Sequence, residues 1–266
     1  MLTFIGLGLH DERGLSLRGL EEARVSDKVF AEFYTSLMPG LSMKRLEKLV
    51  GKSVQVLSRI DIEENAEEKL LKPAERSNVA LLVPGDSMTA TTHVDLRLRA
   101  AKRGIKTLVI HGVSAISAVV SSTGLQSYKF GKTVTIPLPE LGPPVETPYD
   151  VIGENSNRGL HTLVLLDVKA ELEKYLLIRE ALEQLLAIER KRNEHVTHEG
   201  RLVVGAARIG ADDMVIRGGR IKDLINYSFG GPPHSLVFPG RLHFMEAETL
   251  QVFANTSPEA LRDNHE

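Results

Sequence analysis

VALLVPGDSMTATTH, Val79 to His93, decides the reading of this chain. The unbroken apolar run Val79 to Val83 passes into Pro84-Gly85-Asp86-Ser87, and the threonine-rich segment after it leads into the helical pattern ATTHVDLRLRAAKRG. A short apolar run bounded by turn residues and followed by a helix reads as a buried parallel strand, a tight loop and a crossover helix. Asp86 then stands at a strand's carboxyl end, outside which open α/β sheets place their ligand crevice. Glycine lets main chain approach a ligand closely, and the neighbouring carboxylate accepts from donors such as an amine. The plainer alternative is a β-turn with Asp86 capping the next helix, since Pro, Gly, Asp and Ser are ordinary turn formers.

The pattern repeats along the chain. Leu2 to Leu9, LTFIGLGL, is a strand running into glycines; a helix follows from about Ser16, and DKVFAEF returns as a strand. SMKRLEKLVG has the cap and stop of a short helix in Ser42 and Gly51, Ser53 to Leu57 forms a strand, and DIEENAEEKLLKPAERS reads as a charged surface helix. A helix over Ala90 to Arg103 stops at Gly104, and IKTLVIHGVSAISAVVSS gives a second strand, loop and helix. Ser114 is the expected cap of a helix starting near Ala115, where free main-chain N–H groups await an acceptor.

From Gly124 the texture changes. Lys129 to Tyr149 is rich in proline and reads as a long surface loop or a domain boundary. Leu160 to Ala170 is an intensely apolar strand, with a long helix expected from Glu171 to Arg190. RLVVGAARIG and MVIRGG look antiparallel, KDLINYSF is helical, GGPPHSLVFPG is a last strand and FMEAETLQVFAN a closing helix. The fold class is therefore α/β in two domains: 1–120 carrying the Gly-Asp loop, and 121–266 with a mixed sheet.

Composition narrows the function. With 33 basic and 35 acidic residues, the formal charge of −2 argues against broad nucleic-acid binding. The absence of cysteine removes disulfides, thiolate nucleophiles and sulfur-ligated metals. No apolar stretch approaches the roughly 18 residues that span a bilayer, and MLTFIGLGLHDERG lacks the basic start of a signal peptide. The expectation is a cytoplasmic protein.

Several constellations fail. Gly6-x-Gly8 with Glu32 partly mimics a dinucleotide fingerprint, but Asp11 stands where its third glycine belongs. His195 and His198 have no third ligand in view, so no metal site is expected. No Gly-x-Ser-x-Gly elbow or Walker loop occurs. Arg190-Lys191-Arg192 suits a helix end. His93, His111 and His161 read as buried or hydrogen-bonded, and no catalytic residue can be named. His234, in Gly-Pro-Pro-His, is either a turn histidine or a site residue.

FIGLGL, VPGDSM and VIHGVSAIS together resemble the tetrapyrrole methylase superfamily of S-adenosylmethionine-dependent methyltransferases. FAEFYTSL, ATTHVDLRLRA, TGLQSYKFGK, RGLHTLVLLDVKA and GGPPHSLVFPGRLHFMEAE extend the resemblance, in order, over nearly the whole chain. They point to the branch that methylates the amino group of 2-(3-amino-3-carboxypropyl)histidine on translation elongation factor 2. The resemblance implies two α/β domains with S-adenosyl-L-methionine in the cleft between them, usually in a homodimer. Carried over by position, the cofactor contacts are Leu9, Asp86, Thr89, Ser114, Ala115, Leu166, Ala207 and His234. Members commonly have Gly-Asp-Pro where this chain has Gly85-Asp86-Ser87, and an aliphatic residue in place of Thr89. A tetrapyrrole or RNA acceptor, or a non-catalytic binding module on the same fold, remain as alternatives.

Overall fold

The computed structural model describes residues 1–139 and 142–262. The chain divides into two compact units: Met1–Ala115 with Lys169–Glu173, and Ile116–Val168 with the chain from Lys174 onward.

The first unit is built on five parallel strands, β1 (Leu2–Gly6), β2 (Lys28–Glu32), β3 (Gln55–Leu57), β4 (Val79–Val83) and β5 (Thr107–Ile110), in the order β3-β2-β4-β1-β5. Every residue of β1 and β4 is buried, as expected of parallel strands covered on both faces. Side-chain alternation divides them between two cores. Leu2, Phe4, Val79, Leu81 and Val83 pack with Leu70, Ala74, Leu96 and Ala100, while Ile5, Ala80 and Leu82 pack with Ala23, Leu46 and Val50 on the other face. The helices after β1 and β2 thus cover one face, and those after β3 and β4 cover the other. Right-handed crossovers require this, because the first pair carries the chain one way across the sheet and the second carries it back. The neighbouring strands β1 and β4 therefore send their connections in opposite directions, which makes the gap at their carboxyl ends the topological switch point of the sheet.

Local signals set most boundaries. Ser16 Oγ accepts from Gly19 N–H at 3.1 Å to start Leu17–Val25. Ser42 caps Met43–Val50, and Gly51 closes it with φ +80°. Two expectations need correction. The charged run after β3 is not a surface helix: Arg59–Glu63, Glu67–Leu71 and Lys72–Arg76 form a broken helical path that buries Ile62, Ala66, Leu70, Leu71 and Ala74. Its charges mark only the outward face. The helix after the Gly-Asp loop begins at His93 rather than Ala90, whose φ of +56° lies outside any right-handed helix.

In the second unit, β6 (Val134–Ile136), β7 (Thr162–Leu166), β10 (Leu202–Ala207), β11 (Val215–Arg220) and β12 (His234–Phe238) form a mixed sheet ordered β11-β10-β12-β7-β6. Only β6 and β7 run parallel; the other pairs are antiparallel, as the meander pattern predicted. One face packs on Ile178, Leu182 and Leu185 of the helix Ile178–Arg192, and the other on Val119, Ala247 and Leu250. That long helix starts seven residues later than Glu171. The two-residue strands β8 (Val168–Lys169) and β9 (Lys174–Tyr175) bracket a turn in which Glu173 takes φ +51°, and the helix waits until the Glu180 carboxylate can accept from Leu177 N–H at 2.9 Å. KDLINYSF is helical only over Ile221–Leu224, because Phe229 turns inward to join the core. In the proline-rich stretch Lys129 to Tyr149, residues 140 and 141 lie outside the described ones; β6 and the helix from Thr147 account for its two ends.

Candidate active site

The loops leaving β1, β4 and β5 meet main chain to main chain. Gly8 and Gly85 exchange N–H···O bonds of 3.1 and 2.8 Å, tying the first loop to the second. A Cβ on Gly6 would lie 2.5 Å from Gly112 N and 2.6 Å from Gly85 O, and one on Gly112 would lie 2.3 Å from Gly85 O. Glycine is required at both positions by close approach alone. Three strand ends are thereby drawn together, main chain against main chain, at the switch point.

Asp86 organises this junction. Its Oδ1 accepts from Met88 N–H at 2.9 Å and from the Thr89 hydroxyl at 3.0 Å; Oδ2 meets His111 Nδ1 at 2.8 Å and accepts from Gly112 N–H at 3.3 Å. The carboxylate therefore joins the β4 loop to the β5 loop, and it caps no helix, since the next one starts seven residues on. Burial pushes its pKa up, but the bonds from Met88, His111 and Thr89 outweigh that and hold it below the ordinary carboxylate range. Asp86 is almost fully buried, whereas the His111 side chain is 77% exposed. His111 is thus the donor that an incoming amine or hydroxyl can replace with least disruption.

Of the residues singled out from the sequence, the first unit gathers Leu9, Asp86, Thr89, Ser114 and Ala115 onto the three joined loops. Leu9 follows the β1 turn, its carbonyl accepting from Asp11 N–H at 2.8 Å. Ser114 and Ala115 stand at the start of the helix Ala115–Thr123. In the second unit, the register aligns three more. Ala207 is opposite His234, and Ser235 is opposite Leu165, which sets Leu166 beside His234. Leu166, His234 and Ala207 form one buried row across β7, β12 and β10 at a single end of that sheet.

His234 has both ring nitrogens engaged: Nδ1 accepts from Ile178 N–H at 3.2 Å and Nε2 faces the Gly231 carbonyl at 3.0 Å. This fixes the neutral Nε2–H tautomer, and burial lowers the pKa further below the usual histidine range. It borders a cavity of about 290 Å³ shared with Ile178, Tyr227, Phe229 and Gly230.

Sequence reasoning missed His111 as the partner of Asp86 and the contact of Gly6 with Gly112. VIHGVS repeats VPGDS as a strand end with a glycine, but that repetition does not show that the two loops meet. The near-fingerprint is also explained. Asp11 is spent on Arg13, whose N–H and Nε donate to it at 2.9 and 2.8 Å, and Glu32 is wholly buried, so neither can serve a dinucleotide. Among the described residues no group of three metal-ligating side chains occurs, and no helix is long and apolar enough to cross a membrane.

Residues 1–225 match the family model for tetrapyrrole (corrin/porphyrin) methylases. The chain belongs to the tetrapyrrole methylase family. It is a methyltransferase of that family, and its relatives narrow the branch. The protein named diphthine synthase in Methanocella arvoryzae is 48% identical over 254 residues, covering 96% of this chain and 98% of that one. The diphthine synthase of Methanosarcina barkeri is 50% identical over 259 residues, 96% of each chain. Among solved structures, a diphthine synthase superposes with a TM-score of 0.88 at 39% identity over 98% of both chains. A putative diphthine synthase from Entamoeba histolytica follows at 0.86 and 38% identity, over 97% of this chain and 98% of that one. The expected fold class and family are thus both borne out.

Proposed function

We infer that this chain is a diphthine synthase, transferring methyl groups from S-adenosyl-L-methionine to the amino group of 2-(3-amino-3-carboxypropyl)histidine on translation elongation factor 2. Near 50% identity to proteins of that name over the full length carries the reading. The geometry suits a polar ligand at the strand ends: loops brought into backbone contact through glycines 6, 85 and 112, and a buried carboxylate joining two of them. In this reading Asp86, Thr89, Leu9, Ser114 and Ala115 hold the cofactor's polar groups, and Leu166, Ala207 and His234 supply a buried, mostly apolar contact row.

The bound cofactor supplies an electrophilic methyl on sulfur. The chain's residues need only orient it and exclude water, because an in-line displacement by a neutral amine is governed by proximity and alignment. Such a step needs no acid-base triad. His234, locked as the neutral Nε2–H tautomer with both ring nitrogens bonded to main chain, has no free nitrogen for proton transfer and acts by position. We place the enzyme in the cytoplasm, as a homodimer.

The deciding experiment incubates the chain with labelled S-adenosylmethionine and elongation factor 2 carrying the histidine precursor. Label on the factor supports the reading; cofactor binding with no transfer indicates a binding module, and label on a tetrapyrrole or RNA instead redirects the acceptor. Sedimentation velocity tests the dimer.

A further inference from the structure

The end of β10 is closed by an arginine to which the methyl transfer has so far given no part. Arg208 follows Ala207 and takes φ +50°, a left-handed conformation that arginine rarely adopts. Main-chain bonds hold it there: its N–H donates to the Pro233 carbonyl at 2.9 Å, one step beyond the Ala207–His234 pair, and its carbonyl accepts from Ala211 N–H at 2.9 Å. The side chain reaches the loop that leads into β12. Nη1 donates to the Phe229 and Gly231 carbonyls, each at 2.7 Å, while Nε donates to Asp213 Oδ2 at 2.7 Å and Nη2 to the Asp213 carbonyl at 2.9 Å. The Arg208 side chain is 12% exposed and that of Asp213 69%, so water screens much of the ion pair and the two loop carbonyls are the buried part of the contact. Glycine at 230 makes room for this fork, since a Cβ there would lie 2.8 Å from Nη1.

The Gly231 carbonyl accepts a second time, from His234 Nε2–H at 3.0 Å. Arg208, Gly231 and His234 are thus one hydrogen-bonded chain. The Phe229 ring of the same loop stands edge-on to the imidazole with centroids 6.1 Å apart, and it is pressed onto β10 where Gly205 lacks a side chain: a Cβ at Gly205 would lie 2.3 Å from that ring. Burial, and after it the Arg208 charge, keep the imidazole neutral against the pull of the Gly231 carbonyl.

We propose that Arg208 is a positioning residue for cofactor binding: its guanidinium fixes the Phe229–Gly231 main chain, and with it the Gly231 carbonyl that sets the orientation of His234. The inference rests on the methyltransferase reading, in which Ala207 and His234 touch the cofactor. Two observations separate the arrangement from ordinary loop packing. The held segment lines, together with His234, the cavity of about 290 Å³. The chain also carries arginine at a positive φ where glycine would relieve the backbone, so the bonds of the side chain offset that strain.

The test compares the wild type with Arg208→Gly and Arg208→Lys. Glycine suits the left-handed backbone, so Arg208→Gly removes the fork without straining the main chain; lysine keeps the charge but loses the planar fork. S-adenosylhomocysteine affinity is measured by calorimetry, and the ring ¹⁵N and Nε2–H signals of His234, assigned by their absence in His234→Gln, by NMR. Both variants are expected to bind S-adenosylhomocysteine roughly tenfold more weakly, the effect of losing one bond to a charged group. The His234 Nε2–H is expected to shift and to exchange faster with solvent, and added methylguanidinium to restore part of the affinity of Arg208→Gly. A folded variant that binds like the wild type overturns the proposal, as does weakened binding with the His234 signals unmoved. If Arg208→Gly does not fold, Arg208→Lys decides by the same measurements. A wild type that binds no S-adenosylhomocysteine overturns the methyltransferase reading instead, and the His234 signals then decide the positioning role: moved in the variants they support it, unmoved they overturn it.

Discussion

Substituting Gly112 by alanine tests whether main-chain contact holds the three strand-end loops together. The added Cβ would sit 2.3 Å from Gly85 O and 2.8 and 2.9 Å from Gly6 C and Cα, where ordinary contact starts near 3.4 Å; the difference, 3.4 − 2.3, is about 1 Å of retreat. Backbone on both sides must yield, since no flexible side chain is in the way. Overpacking of this kind costs about 1–3 kcal/mol. For a protein of this size each kcal/mol lowers Tm by roughly 2–4 °C, so a cost near 2 kcal/mol predicts a fall of about 4–8 °C. The same retreat separates the Asp86 loop from the β5 loop, and a loss of only 1.4 kcal/mol in binding is about tenfold in Kd. Thermal unfolding and calorimetry with S-adenosylhomocysteine measure both, with Gly231→Ala as control, because nothing lies within 4 Å of that Cβ. A Gly112→Ala protein that melts and binds like the control would refute the reasoning.

Other substitutions probe other contacts. Asp86→Ala should abolish S-adenosylhomocysteine binding in calorimetry, and unchanged affinity would remove Asp86 from the site. Because its folded pKa is depressed, the stabilisation from Asp86 is present above its unfolded value and lost only as pH falls through the lower folded one, so an acid titration of loop order should run below the ordinary carboxylate range. In the second unit, Glu246 is buried with Lys129 Nζ at 2.6 Å and His161 Nε2 at 3.0 Å; burial pushes its pKa up, but these bonds and those from Gln126 and His243 N–H bring it to about 2. Its contribution is present above the unfolded value of 4.5 and lost as pH falls towards about 2, which urea unfolding at a series of pH values will register. Glu246→Ala, which strands the buried His161, should cost about 3 kcal/mol in urea at neutral pH. Tyr149→Phe removes the 3.0 Å bond from Tyr149 Oη to Glu189 but leaves the carboxylate its Thr197 and His195 N–H donors, so a loss of only about 1 kcal/mol is expected by the same assay.

The parallel sheet and its strand-end loops were legible because β1 and β4 are continuous apolar runs that stop at glycine, a pattern produced by burial on both faces. The mixed second sheet was legible from alternation in RLVVGAARIG and MVIRGG. What misled was charge: the segment from Arg59 to Arg76 carries enough acid and lysine to look solvated, although every third or fourth residue is buried. Helix starts were misjudged at Ala90 and Glu171 because left-handed residues, Ala90 and Glu173, are not special residue types. At the site, Asp86 was visible as a carboxylate in a turn, but His111 was not, since its role depends on two loops 25 residues apart being brought within 2.8 Å.

Loops clasped through their peptide groups constrain the identities of those residues that must lack a side chain. Ser87 and Thr89 flank the Gly8–Gly85 clasp, and the Thr89 hydroxyl steadies Asp86. Substitutions at these two sites offer a route to retune ligand preference without rebuilding the scaffold.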